Sequence, residues 1–213
     1  MGEAKRRKAA GVYGADSYAQ LSVAAKNVGW ALQRLAVAAS GQFGGDCYLH
    51  AVFGKALLAD LGITSQVEVG YAAWRVGPGD GDVIAHTKET TSFLPEGALG
   101  FPYHAWLSTK DCIVDFTTYQ FERKACELDA ADGGHTTVAW QPAVLVLPKR
   151  ELCSYRSVAQ ALAPGVAYYE SRTELLAKLG THFQPADEDL AAARLLLGNP
   201  DMQAFGPNQA SEQ

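Results

Sequence analysis

Three side chains in this sequence have the types and spacing that nucleophilic chemistry would need. Cys47 stands in Gly44-Gly45-Asp46-Cys47, at the head of an apolar run that ends in Leu61-Gly62. A cysteine in the first turn of a helix meets free backbone N–H groups and the positive end of the helix dipole. Both favour a thiolate, the nucleophilic form. His104 opens "HAWLS", and Asp115 follows in "CIVDF". If Thr109-Lys110 is a two-residue hairpin turn, Ser108 faces Asp111 and His104 faces Asp115. Their Cβ atoms then lie about 5 Å apart on one face of the sheet. A carboxylate there holds an imidazole in one tautomer and stabilises its charged form. On position alone two readings stand: a packing cysteine with an incidental His–Asp pair, or a nucleophile with its base and orienting group.

The elements that must position these groups are legible in outline. Asp46 is a good N-cap and Gly62 a good stop, which predicts a helix over 47–61. Leu49, Val52, Phe53, Ala56, Leu57, Leu58 and Leu61 make it apolar nearly all round, with charge only at Lys55 and Asp60. Such a helix belongs inside a domain. Ala51 and Gly54 thin the face that carries Cys47, leaving room for a close neighbour. Upstream, Ser17-Tyr18-Ala19-Gln20 reads as a capping box, with apolar residues at helical spacing from Leu21 to about Ala39. Residues 1–16, with Lys5, Arg6, Arg7 and Lys8, read as a disordered, solvated basic tail, and 40–45 as a loop.

Downstream the period changes. Strands are expected over 66–76 and 82–87, joined by Gly77-Pro78-Gly79-Asp80-Gly81, then over 104–108, 112–117 and 143–147. Residues 88–102 read as a loop and 122–135 as loop or short helix. Helices are expected over about 155–162, 171–179 and 187–197, and 199–213 as a frayed tail. The fold class is α+β: one domain over 17–198, with a buried N-terminal helix on an antiparallel sheet and extra C-terminal helices.

Composition narrows the function classes. Hydrophobic residues make up 48% and charged ones 19%, the balance of a globular domain, and the net charge of -5 argues against a nucleic-acid partner. No apolar stretch has the length of a membrane span, and no signal peptide follows the N-terminal charges. Cys47, Cys112, Cys126 and Cys153 form no CxxC pair, which suggests reduced thiols in the cytoplasm. A zinc site from Cys47, His50, His86 and Cys112 lacks close ligand spacing, so no metal or other cofactor is expected.

The order Cys, His, Asp resembles the transglutaminase-like division of the papain-like cysteine enzymes. That family's pattern is a Gly-rich loop, Asp-Cys at the start of a helix ending in Leu-Gly, a strand, then His-Ala-Trp and a strand ending in Val-Asp. Here these stand as "GGDCYLHAVFGKALLADLGI", "HAWLS" and "CIVDF", within roughly residues 40–117. The resemblance implies Cys47 as nucleophile, His104 as general base and acid, and Asp115 as the orienting carboxylate. It also implies a papain-like core and a peptide, isopeptide or small amide as substrate. His and Asp stand about four residues closer than is common in the family, a change that keeps both on one face. Cys112 also replaces a usual aromatic.

Acyl transfer needs an oxyanion hole. The Cys47 N–H is one donor, and Gln42, upstream in the loop, is the side-chain candidate. Gly45 and Asp46 beside the thiol, and Tyr103 and Trp106 beside the imidazole, are the candidate substrate contacts. His50 reads as a core histidine one turn after Cys47. His86 and His135 read as surface groups either of which could line a pocket, and Tyr168-Tyr169 and Trp140 as core or pocket wall. Two alternatives remain open: arylamine N-acetyltransferase-like acyl transfer, since that family also shows Gly-Gly-x-Cys before such a helix, and a silent binding protein on the same fold.

Overall fold

Around one nearly all-apolar helix the rest of the chain arranges itself. That helix, α2 (Cys47–Asp60), starts where Asp46 caps it and packs Phe53, Leu57 and Leu58 at 1% exposure or less. Each such side chain contributes roughly 1.5–3 kcal/mol by leaving water. The computed structural model describes residues 3–39, 46–88, 102–179 and 186–206. In chain order α1 (Glu3–Ala38) and α2 precede strands β1 (Gln66–Arg75), β2 (Val83–His86), β3 (His104–Ser108) and β4 (Cys112–Asp115). Then come α3 (Phe121–Asp132), β5 (Leu145–Pro148), α4 (Tyr155–Gln160), β6 (Ala167–Ser171), α5 (Thr173–Leu179) and α6 (Asp187–Gly198). The fold is α+β with a six-stranded antiparallel sheet.

The strand pairings explain how residues far apart in sequence reach one place. β1 pairs with β2 through residues 72–75, with β3 through 66–70 and with β6 through 70–74; β3 pairs with β4, and β4 with β5. A strand has two edges, and Gly70 and Ala72 are each paired on both. β2 and β3 therefore lie end to end along one edge of β1, with β6 along the other. One sheet face carries Ala72, Trp74, Ile84, Trp106, Ile113, Leu145 and Tyr169 in a small core of their own. The opposite face, with Val69, Ala105, Leu107 and Val114, joins one core with α1 and α2, and α6 packs on those two helices.

Three expectations need correction. The helix expected to start at Ser17 runs from Glu3, because the Ala-, Lys- and Arg-rich residues before it are themselves good helix formers. The segment 167–171 is a strand: Tyr168 and Tyr169 suit a pleat, and β1 offers it an edge. Gly70 permits that pairing, since a Cβ there would collide with the Glu170 carbonyl. Residues 199–206 are docked. The Arg34 guanidinium donates to the carbonyls of Leu196, Asn199, Pro200 and Met202 at 2.6–3.3 Å, and Gly206 sits against the Ala38 backbone. The Leu196 and Asn199 carbonyls end α6, where a cation is favoured.

The β3–β4 hairpin is also set differently. Leu107 faces Val114 and Ser108 faces Ile113, so the turn is centred on Lys110-Asp111 rather than Thr109-Lys110. Thr109 closes it, its N–H donating to the Cys112 carbonyl at 2.8 Å and its hydroxyl accepting from the Cys112 N–H at 3.0 Å. A shift of two residues preserves the faces, whereas a shift of one reverses them. His104 and Asp115 thus remain on one face, as diagonal neighbours.

Gly54 fixes where β4 ends. The Phe116 ring, next to Asp115 and 2% exposed, fills the space in which a Gly54 Cβ would stand. Gly54→Ala should therefore lower unfolding free energy by about 1–2 kcal/mol in urea titrations, the clash outweighing alanine's better helix propensity. Adding Phe116→Leu should recover part of the loss; equal or greater stability of Gly54→Ala alone would show that the ring is not held there.

Candidate active site

Cys47 is the first residue of α2, and the residues around it lock that helix start. The Asp46 carboxylate accepts from the N–H groups of Tyr48 at 2.8 Å and Leu49 at 3.4 Å. It leaves the Cys47 N–H outside the cap. The Tyr103 hydroxyl donates to the same oxygen at 3.4 Å. Asp46, expected as a substrate contact, has its Oδ1 engaged as the helix cap. His50 is a buried core residue, with Nδ1 2.8 Å from the Asp46 carbonyl and Nε2 3.2 Å from the Tyr119 hydroxyl. Burial lowers its pKa.

His104 begins β3, at the end of the sheet where the head of α2 arrives. Its Nε2–H donates to Asp115 Oδ2 at 2.7 Å, and Cys47, on the same cleft, stands near enough to the ring to raise its pKa. With Nε2 engaged by the carboxylate, Nδ1 is the nitrogen left for the sulfur. Burial alone would lower the pKa of His104, but the charge and hydrogen bond of Asp115, with the nearby Cys47, push it up to about 10. The imidazole is an imidazolium at neutral pH.

Asp115, 0% exposed, carries four hydrogen bonds. Oδ1 accepts from the Thr117 N–H at 2.9 Å and the Thr117 hydroxyl at 2.8 Å. Oδ2 accepts from His104 and from the Tyr169 hydroxyl, each at 2.7 Å. Burial would raise its pKa; the His104 charge and these donors bring it below the ordinary value. Tyr169 Oη in turn accepts from Trp74 Nε1 at 2.7 Å. A line of hydrogen bonds therefore runs from Trp74 through Tyr169 and Asp115 to His104, and Cys47 shares the cleft with that ring.

The end-to-end placement of β2 and β3 adds a row of rings. His86 ends β2 and stacks on His104 with centroids 5.7 Å apart and planes at 14°; Trp106 lies on the other side of His104 at 6.3 Å and 13°. The Trp74 edge meets the His104 ring at 4.7 Å. Trp106, 3% exposed, supports the imidazole from within and is absent from the cleft wall, which corrects its reading as a substrate contact. A cleft of about 480 Å³ opens at Cys47, lined by Tyr103, His104, His86 and Thr117 and by α3. Burial, with the charges of Cys47 and Asp46, raises the Tyr103 pKa and keeps its phenol a donor. Gln42 and Gly45 lie outside the described residues.

Tyr169 and Trp74 were not identified as site residues in the sequence. The one available signal was the alternation in Ala167-Tyr168-Tyr169-Glu170-Ser171, which marks a strand without naming its neighbour. His86 lines the cleft and His135 is exposed.

No family model matches the chain, and no curated protein matches it. Among solved structures it is similar to one named "The crystal structure of genomics APC5867". The two superpose with a TM-score of 0.55 over 85% of this chain and 82% of that one, at 15% identity. The likeness is one of fold.

The buried pair ties stability to pH. His104 has a raised folded pKa, so its contribution is full below about 6.5 and is lost as pH rises through about 10. Asp115 has a lowered one, so its contribution is full above about 3.9 and is lost as pH falls through the folded value. NMR of the imidazole rings should find His104 still protonated at about pH 8. His86 should stay neutral at about pH 5, because burial and then the His104 charge bring its pKa to about 3. In Asp115→Asn the His104 midpoint should fall. A wild-type midpoint near about 6.5 would contradict the ion pair.

Proposed function

We propose that this protein is a cysteine-dependent acyl-transfer enzyme of the transglutaminase-like, papain-like kind. The observation that carries the reading is the meeting of Cys47, at the head of a helix, with the hydrogen-bonded His104–Asp115 pair in one cleft. A cysteine leading a helix packed on an antiparallel sheet, with its histidine and carboxylate on adjacent strands, also supports it.

In the reaction, the Cys47 sulfur attacks the carbonyl carbon of an amide, and the C–S bond forms as the carbonyl π pair moves to oxygen. The Cys47 N–H, left outside the Asp46 cap, is one donor to that oxyanion. Collapse of the intermediate breaks the C–N bond while the His104 imidazolium gives its Nδ1 proton to the departing amine. A thioester remains. Neutral His104 then takes a proton from water, the hydroxide adds to the thioester, and Cys47 leaves as thiolate beside a re-formed imidazolium. Asp115 holds the ring throughout by its bond at Nε2 and stabilises the cation. The substrate in this reading is a peptide, isopeptide or small amide.

Iodoacetamide at about pH 6.5, with alkylated peptides mapped by mass spectrometry, tests the reading directly. Cys47 should react at least about tenfold faster than the exposed Cys126, because only Cys47 is paired with an imidazolium. His104→Ala should bring it to the ordinary rate. Equal labelling of Cys47, Cys126 and Cys153, unchanged by His104→Ala, would remove the basis for an enzyme.

A further inference from the structure

The cleft at Cys47 is lined by more cations than carboxylates. The chain as a whole is acidic, at -5, yet α3 brings Arg123 and Lys124 to the lining of the cleft that also holds His104. The cleft's lining carboxylate is Glu127, also on α3. It stands 3.2 Å from Lys124 Nζ and 3.8 Å from Arg123 Nε. About half of the Glu127 side chain is exposed, so these pairs are screened by water and readily exchanged for another carboxylate.

His86 lines the same cleft. It touches Trp74 edge-on at 5.9 Å and His104 face-on at 5.7 Å, and makes no hydrogen bond to any described residue. Its ring is held neutral, first by burial and then by the His104 and Lys124 charges, so it presents one N–H donor and one acceptor. It is one ring away from the imidazole that meets the thiol. Between these polar groups the floor is apolar, from Ile84, Phe121 and Leu128.

We propose that Arg123, Lys124 and His86 form a carboxylate-binding subsite, so that the compound cleaved at Cys47 is an acyl amide bearing a carboxylate a short apolar stem away from its scissile carbonyl. This rests on Cys47 being the nucleophile. Glu127 occupies the cations when the cleft is empty and yields them to the substrate. The cleft volume of about 480 Å³ suits a compound of small-molecule size. An N-acyl amino acid or the C-terminal residues of a peptide meet these terms; an uncharged stretch within a long chain does not.

Two reagents of nearly equal size separate the charge from the chemistry. Iodoacetate and iodoacetamide both form a C–S bond with the thiolate and release iodide, and they differ in carrying a carboxylate or an amide. Rates of Cys47 alkylation by each are measured in the full-length protein. Replacing both cations, in Arg123→Ala/Lys124→Ala, should slow iodoacetate by about tenfold and leave iodoacetamide within about twofold. Glu127→Gln should speed iodoacetate alone. His86→Phe, which keeps a ring on His104 but removes the N–H, should also slow iodoacetate selectively. Added salt should shrink the wild-type preference.

An unchanged iodoacetate-to-iodoacetamide ratio in the double variant, with brisk iodoacetamide labelling, overturns the subsite while leaving Cys47 as nucleophile. Equal slowing of both reagents assigns these residues a structural role and also overturns it. Failure of wild-type Cys47 to react with either reagent overturns the nucleophile and the subsite together.

Discussion

A buried ion pair, His104 with Asp115, is the constraint on which the rest of the structure depends. Two ionised groups at 5% and 0% exposure are costly to desolvate, and their attraction offsets that cost only when the remaining hydrogen-bonding capacity is met. Here it is met. Thr117 supplies two donors to one carboxylate oxygen, and Tyr169 shares the other with His104. Taking away one partner of such a pair costs about 3–5 kcal/mol, because the other is left buried and unpaired. The fold therefore holds these groups in one arrangement, the one that the proposed reaction would use.

The demand reaches well beyond the pair. Tyr169 arrives on β6, which needs Gly70 for its approach to β1. Trp74 ties Tyr169 down and also presents its edge to the imidazole. Phe116 anchors the end of β4 in the gap left by Gly54, one residue from Asp115. On the other side of the imidazole, Asp46 and His50 fix the helix start that presents the thiol. The sulfur and the carboxylate thus come from separate layers, and the imidazole at the sheet's end joins them.

Much of this was legible locally. Asp46 and Gly62 bracket α2 by capping chemistry, and its nearly unbroken apolarity says that it is buried. The His104–Asp115 relation survived a wrong turn assignment because side-chain faces depend on parity alone: the hairpin moved by two residues and the pair stayed together. What stayed hidden is non-local. Nothing within Ala167–Ser171 says that its tyrosine reaches Asp115, or that His86 and His104 become neighbours along one edge of β1. Likewise, the docking of 199–206 depends on Arg34, more than 160 residues earlier.

In the proposed reaction Cys47 carries an acyl group as a thioester. Incubation with p-nitrophenyl acetate, followed by intact-mass measurement and peptide mapping, reads it most directly. The account predicts a single acetyl adduct on Cys47, removed by hydroxylamine as a thioester is, and absent in Cys47→Ala. No adduct, or acetylation spread over Cys126 and surface lysines and unchanged in Cys47→Ala, would contradict it.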